Sequence, residues 1–141
     1  MKKYILLSGM LLITISMFSQ TEEQQVRETL NRYIQGSSYS YPKLIESAFY
    51  ENAPLYLSKK DQELWVLSPK EYAKLFEKRE RGKFNGRYGK ILNVTIANNI
   101  ASAEAEIRIP SSDLLFMDIF LLKKLKGEWK IISKAAAQIT E

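Results

Sequence analysis

The sequence contains no cysteine and no histidine. Without cysteine there is no disulfide framework, no thiol nucleophile, no thiolate metal ligand and no cysteine for lipid attachment. Without histidine there is no Ser-His or Cys-His catalysis and no His-containing zinc site. The side chain that most readily acts as a base near neutral pH is also missing. Any chemistry therefore falls to Asp, Glu, Tyr, Lys, Arg, Ser or Thr. Glycine and proline are sparse as well, six and four in 141 residues. They are scattered, so no interdomain linker is visible. Internal repeats, low-complexity tracts, a Walker loop, a dinucleotide fingerprint and a metal-ligand cluster are all lacking.

What is present describes one compact domain behind a short leader. Hydrophobic residues make up 45% of the chain, charged residues 26% and aromatic residues 11%, a composition that can bury a core. The longest apolar run, Tyr4 to Phe18, follows Lys2 and Lys3 and is followed by Ser19 and polar Gln20-Thr21-Glu22-Glu23. It is shorter than the about 20 residues of a membrane span and has the layout of a secretory signal peptide. The expectation is a signal peptide over 1–19, cleaved after Ser19, and a single domain over 21–141, exported to the periplasm or secreted; the alternative for 1–19 is an uncleaved N-terminal anchor. No membrane span remains after removal of the signal. The formal charge of +5 falls to +3 once Lys2 and Lys3 leave. That is a modest bias toward anionic partners, and no nucleic-acid partner is expected.

Along the domain, Thr21 and Gln24 form a capping box that opens a helix over 21–35, with Gly36 suited to its C-terminal cap. Val26, Leu30, Tyr33 and Ile34 give that helix one apolar stripe. Pro42 opens a second helix, with Leu44, Ile45, Ala48 and Phe49 on its apolar face. Leu55-Tyr56-Leu57 and Leu64-Trp65-Val66-Leu67 read as short strands around a 58–63 hairpin loop. Ser68-Pro69-Lys70-Glu71 is a second capping box, starting a third helix with Tyr72, Leu75 and Phe76 on one side. The basic loop 78–90 follows, read as a solvated face or, alternatively, as a contact for an anionic ligand. Then come a strand over 91–97 with Leu92, Val94 and Ile96 on one face, an Asn98-Asn99 turn, and a strand in which Ala101, Ala103, Ala105, Ile107 and Ile109 alternate with polar residues. Strands over 114–124 and 128–138 complete the chain. The fold class is α+β: a curved antiparallel sheet forming a cone, with three helices closing its concave face.

One acid stands out. In Phe116-Met117-Asp118-Ile119-Phe120-Leu121-Leu122 a single carboxylate sits among large apolar residues. Leu114, Phe116, Asp118, Phe120 and Leu122 share one strand face; Leu115, Met117, Ile119 and Leu121 share the other. Both faces are apolar, so helices are expected over one and a partner subunit over the other. A lone buried carboxylate costs several kcal/mol unless it is paired, hydrogen-bonded or protonated. Asp118 is therefore either an acid working in a pocket or a structural group paired with an Arg, Lys or Tyr across the strands. The aromatic residues Tyr33, Phe49, Tyr56, Trp65, Tyr72 and Phe76 fall on stripes that should face the cone. They are read as core packing or, with Asp118 and Phe120, as the lining of a pocket for a flat, mostly apolar molecule.

The segments Gly86 to Ile107, Met117 to Lys124 and Gly127-Glu128-Trp129-Lys130-Ile131-Ile132-Ser133-Lys134, with the first helix ending in Tyr33-Ile34-Gln35-Gly36, resemble the nuclear-transport-factor-2-like superfamily. More narrowly they resemble its exported bacterial "putative lumazine-binding" branch. The resemblance covers about residues 21–138. It implies a cystatin-like cone with an apolar-lined cavity, often in homodimers, here through the outer sheet face. Some relatives are enzymes, and others only bind or dimerise. Relatives often carry histidine after the second helix, where Phe49-Tyr50-Glu51 stands here, so His-dependent chemistry does not carry over. The function expected is binding of a small apolar or aromatic molecule, or dimerisation, without cofactor or metal. The alternatives are a cofactor-free isomerase, dehydratase or cyclase using Asp118 with Tyr33 or Tyr56, and a protein-interaction module.

Overall fold

The structure, a computed structural model, describes residues 20–139. The segment read as a signal peptide lies outside the described residues. The elements run α1 (Glu22–Ser38), α2 (Pro42–Ala48), β1 (Leu55–Lys59), β2 (Gln62–Leu67), α3 (Pro69–Lys74), β3 (Tyr88–Ala97), β4 (Ile100–Ile109), β5 (Leu114–Leu125) and β6 (Glu128–Gln138), with a 3-10 turn at Pro110–Ser112. Both capping boxes form as read, Thr21 with Gln24 and Ser68 with Glu71. Asn98 takes the left-handed conformation, at φ 55°, that its turn requires.

The six strands make one sheet in the order β2-β1-β6-β5-β4-β3. Hairpins force antiparallel pairing between β1 and β2 and along β3 to β6. β1 and β6 are not joined by a hairpin, and they pair in parallel through Leu55↔Lys134 and Tyr56↔Ala135. The sheet is thus antiparallel except at this seam. The helices lie on its inner face, where Val26, Leu30, Tyr33 and Ile34 of α1 and Ile45 and Ala48 of α2 join Ala101, Ala103, Ala105, Ile107, Phe120, Leu122 and Ile131 in one buried core.

Two expectations are corrected. Gly36 does not cap α1, which continues to Ser38. A Cβ at Gly36 would stand 2.8 Å from both the backbone nitrogen and Cγ1 of Ile45. The glycine therefore admits α2 against α1 and does not end the helix. Leu92 does not share a face with Val94 and Ile96: the register slips between Ile91 and Asn93, so Ile91 turns inward and Leu92 is exposed. A bulge adds one residue to a strand and inverts the alternation beyond it.

A second slip, where Leu121↔Ser133 is followed by Leu122↔Ile131, leaves Ile132 as the extra residue of β6. Without it, Lys134 would share a face with Ile132 and point outward while Ile131 pointed in. With it, Ile131 and Lys134 are both buried on the inner face. Lys134 then stands in a row with Leu55 and Phe120, one step from the row of Asp118 and Ala136.

Candidate functional site

Four elements and one loop deliver polar groups to the same point inside the cone. Asp118 comes from the middle of β5 and is 1% exposed, and Lys134 comes from β6 and is 2% exposed. Lys134 Nζ lies 3.1 Å from Asp118 Oδ2. Tyr33, on the inward stripe of α1, donates its hydroxyl to the same oxygen at 2.7 Å. Tyr72, from α3, places its hydroxyl 3.3 Å from that of Tyr33. The lysine ammonium sits 5.4 and 5.6 Å from the ring centroids of Tyr33 and Tyr72, so two aromatic faces help to hold the cation.

Arg87 enters from the loop before β3. Its Nη2 donates to Tyr33 at 2.8 Å and to Tyr72 at 3.3 Å, and its Nε donates to Ser37 Oγ at 3.2 Å. The loop is tied to the end of α1. Asn85 donates through its side chain to Ser37 O at 2.6 Å and through its backbone to Ser38 O at 2.9 Å, and Ser38 Oγ donates to Arg87 O at 2.6 Å. These bonds satisfy carbonyls that a helix C-terminus leaves open, and they aim Arg87 inward.

Burial is the main force on the ionisation of these groups. It pushes the Tyr33 phenol well above its ordinary value of 10.0, against the opposing pull of Arg87. Burial alone would lower Arg87, but Tyr33, Tyr72 and Asp118 more than offset it, so the guanidinium stays charged. Among the described residues no buried side-chain nitrogen or oxygen lacks a hydrogen-bond partner. The fully buried part of the network is closed, as the cost of burying an ion pair demands.

A cavity of about 230 Å³ opens over this network. Asp118, Lys134 and Tyr72 are its buried floor; Leu57, Trp65, Phe76, Phe116 and Ala136 form its walls; Leu75 and Arg79 stand at the exposed rim. Two larger hollows, of about 540 and 640 Å³, are outer grooves along α1 and around Tyr50 and the β5–β6 turn. Neither contains the polar network. Among the described residues no group of three or more acidic side chains comes together to hold a metal ion.

Of the residues expected to line a pocket, Trp65, Tyr72, Phe76 and Asp118 do so. Tyr33 lies directly behind Asp118. Phe49 and Phe120 belong to the packed core and flank the Tyr33 ring at 5.8 and 5.5 Å. Tyr56 is off the site: it is 42% exposed on the outer face, because its neighbours Leu55 and Leu57 take the inward positions of β1. The small side chains Ala101, Ala103 and Ala105 are closed into the core and leave no room for a ligand. Sequence reading missed Lys134 as a site residue, and it reached Arg87 only as one of the cations of the basic loop 78–90, whose alternative reading was a contact for an anionic ligand. No signal marks Lys134, since only the β6 bulge brings it inside. Nothing local set Arg87 apart from the other cations of that loop.

The "putative lumazine-binding" family model matches residues 21–135. The chain belongs to this family. Its architecture is that of nuclear-transport-factor-2-like proteins of unknown function. One from Shewanella baltica is 21% identical, aligned over 87% of this chain and 100% of that one, at a TM-score of 0.73. One from Methylobacillus flagellatus is 24% identical over 86% and 95% of the two chains, also at 0.73. A domain with a cystatin-like fold from Nostoc punctiforme is 17% identical over 87% and 81%, at 0.69. No curated protein matches the chain. At these identities the solved relatives establish the fold of this lumazine-binding-family member and nothing about its ligand.

Proposed function

We propose that this protein is an exported binder of a small, flat, mostly apolar molecule, held in the cavity above Asp118. One observation carries the reading. An apolar-walled cavity ends on a cluster of buried polar groups that are already ordered by one another, the usual make-up of a ligand site. At about 230 Å³ it falls below the roughly 300–1,000 Å³ of drug-sized pockets, so the molecule is one or two rings in size. Export rests on the charged, apolar and small-residue order of residues 1–19. N-terminal sequencing of mature protein should begin at Gln20.

The binding reading is tested by titrating the protein with one- and two-ring aromatics while following Trp65 fluorescence. Ala136→Phe, which fills the cavity, is the control. Saturable changes in the parent protein that vanish in Ala136→Phe are expected; equal responses in both would place binding elsewhere.

A second reading, a cofactor-free isomerase, dehydratase or cyclase, gains weight from the 2.7 Å approach of Tyr33 to Asp118, since an acid and a hydroxyl within reach can share a proton. It is the weaker of the two. The Tyr33 hydroxyl is already taken up by Asp118 and Arg87, and Asp118 already faces Lys134. Turnover of a bound carbonyl compound that is lost in Asp118→Asn would establish it over binding alone.

A further inference from the structure

The charged groups around the cavity do not balance. Asp118 is the single acid lining it, and three cations line it with Asp118: Lys134, Arg87 and Arg79. Asp118 is matched by Lys134 at 3.1 Å and takes a further hydrogen bond from Tyr33, so its charge is spent locally. Arg87 is half-buried, and its acceptors are the neutral hydroxyls of Tyr33, Tyr72 and Ser37. Its Nη1 donates to no group among the described residues, and no carboxylate there pairs with it. Arg79, at the rim, lies 5.3 Å from the Phe76 ring centroid and likewise has no acidic partner among the described residues. Lys59 is not in the cavity lining, but its ammonium lies 4.7 Å from the ring centroid of the lining residue Trp65 and adds to the same field. A guanidinium held in a partly dry cavity with no carboxylate in direct contact is a prepared donor site for a carboxylate, which can take charge-assisted hydrogen bonds from the Nη1 that Tyr33, Tyr72 and Ser37 leave free.

We infer that the molecule bound here is an organic acid: an apolar or aromatic body seated on Trp65, Phe76 and Phe116, with its carboxylate directed to Arg87 and Arg79. This deepens the binding reading and rests on it. Asp118 and Lys134 are then the neutral floor on which the ring edge rests, and Arg87 supplies the selectivity. A neutral molecule of equal shape would leave the Arg87 charge unmatched, and a cation would be repelled by the two unmatched guanidinium groups.

The test is calorimetric, on the full mature domain. 2-Naphthoate is compared with its neutral isostere 2-naphthamide and with a cationic counterpart, 2-naphthylmethylammonium, at low and high salt. The acid is expected to bind tighter than the amide by roughly tenfold to a hundredfold, the range a charge-assisted hydrogen bond supplies. Its affinity should fall with salt while that of the amide holds. Arg87→Gln should erase the preference without abolishing amide binding. If Arg87→Gln fails to fold, as judged by circular dichroism, Arg79→Met at the exposed rim should still narrow it. Amide or cation binding as tightly as the acid would overturn the charge inference and leave the binding reading standing. Failure of all three probes, and of a wider aromatic panel, would remove both.

Discussion

At the scale of single residues, the protein concentrates its risk in Asp118 and Lys134. Each is buried, and each is tolerable only because of the other. Lys134→Met removes the cation and leaves the carboxylate unmatched, for an expected loss of about 3–5 kcal/mol in chemical denaturation. Asp118→Leu combined with Lys134→Met removes both charges, and should recover most of that loss, since apolar replacement of a whole buried pair is often neutral or stabilising. Equal losses in the single and double variants would show that the pair is not the organising contact. Tyr33 makes a separate prediction. Its folded-state pKa is raised by burial, so both states keep the phenol neutral below pH 10.0, its ordinary value. Above that pH the unfolded chain ionises first. Stability held below pH 10.0 is then lost as the pH climbs toward the folded value. Alkaline denaturation curves should show this fall, and Tyr33→Phe should flatten it while lowering stability near neutrality by about 1–3 kcal/mol for the lost bond to Asp118. An unchanged alkaline slope in Tyr33→Phe would exclude the assignment.

At the scale of elements, regular alternation was readable and its interruptions were not. β4 alternates alanine and isoleucine with polar residues without a break, and its inner positions Ala101, Ala103, Ala105 and Ile107 are all buried. Asp118 could be placed on an inner face by the same counting. Lys134 could not, because the extra residue at Ile132 inverts the face of everything after it, and nothing in Ile131-Ile132-Ser133-Lys134 announces a bulge. Leu92 was misplaced for the same reason. Arg87 depends on a tertiary tie between Asn85 and the end of α1, a contact across about fifty residues that no local pattern encodes. Gly36 looked like a helix stop, yet its role is set by Ile45 of the next helix. Gly36→Ala therefore tests the packing of α1 on α2. Because a backbone atom is the obstacle, it should cost about 1–3 kcal/mol in thermal or denaturant unfolding. A gain, as expected for alanine in an ordinary helix interior, would refute the close approach.

At the scale of the whole molecule, the inner face of the sheet is closed by helices while the outer face is left bare. Ile119 and Leu121 are 49% and 50% exposed there, beside Tyr56 and Val66. We propose that a second copy covers them. Light scattering should then give a dimer mass, and Leu121→Glu should halve it without loss of helical signal; a monomer in the parent protein would contradict this. The cavity is the more central matter, because fold, bulge, buried pair and loop-borne arginine converge on it. The most direct measurement is native mass spectrometry of the protein purified from its own host, beside Ala136→Phe prepared the same way. The account predicts one small molecule of constant mass carried by the parent protein and absent from the filled variant. An empty parent protein, or the same mass on both, would contradict it.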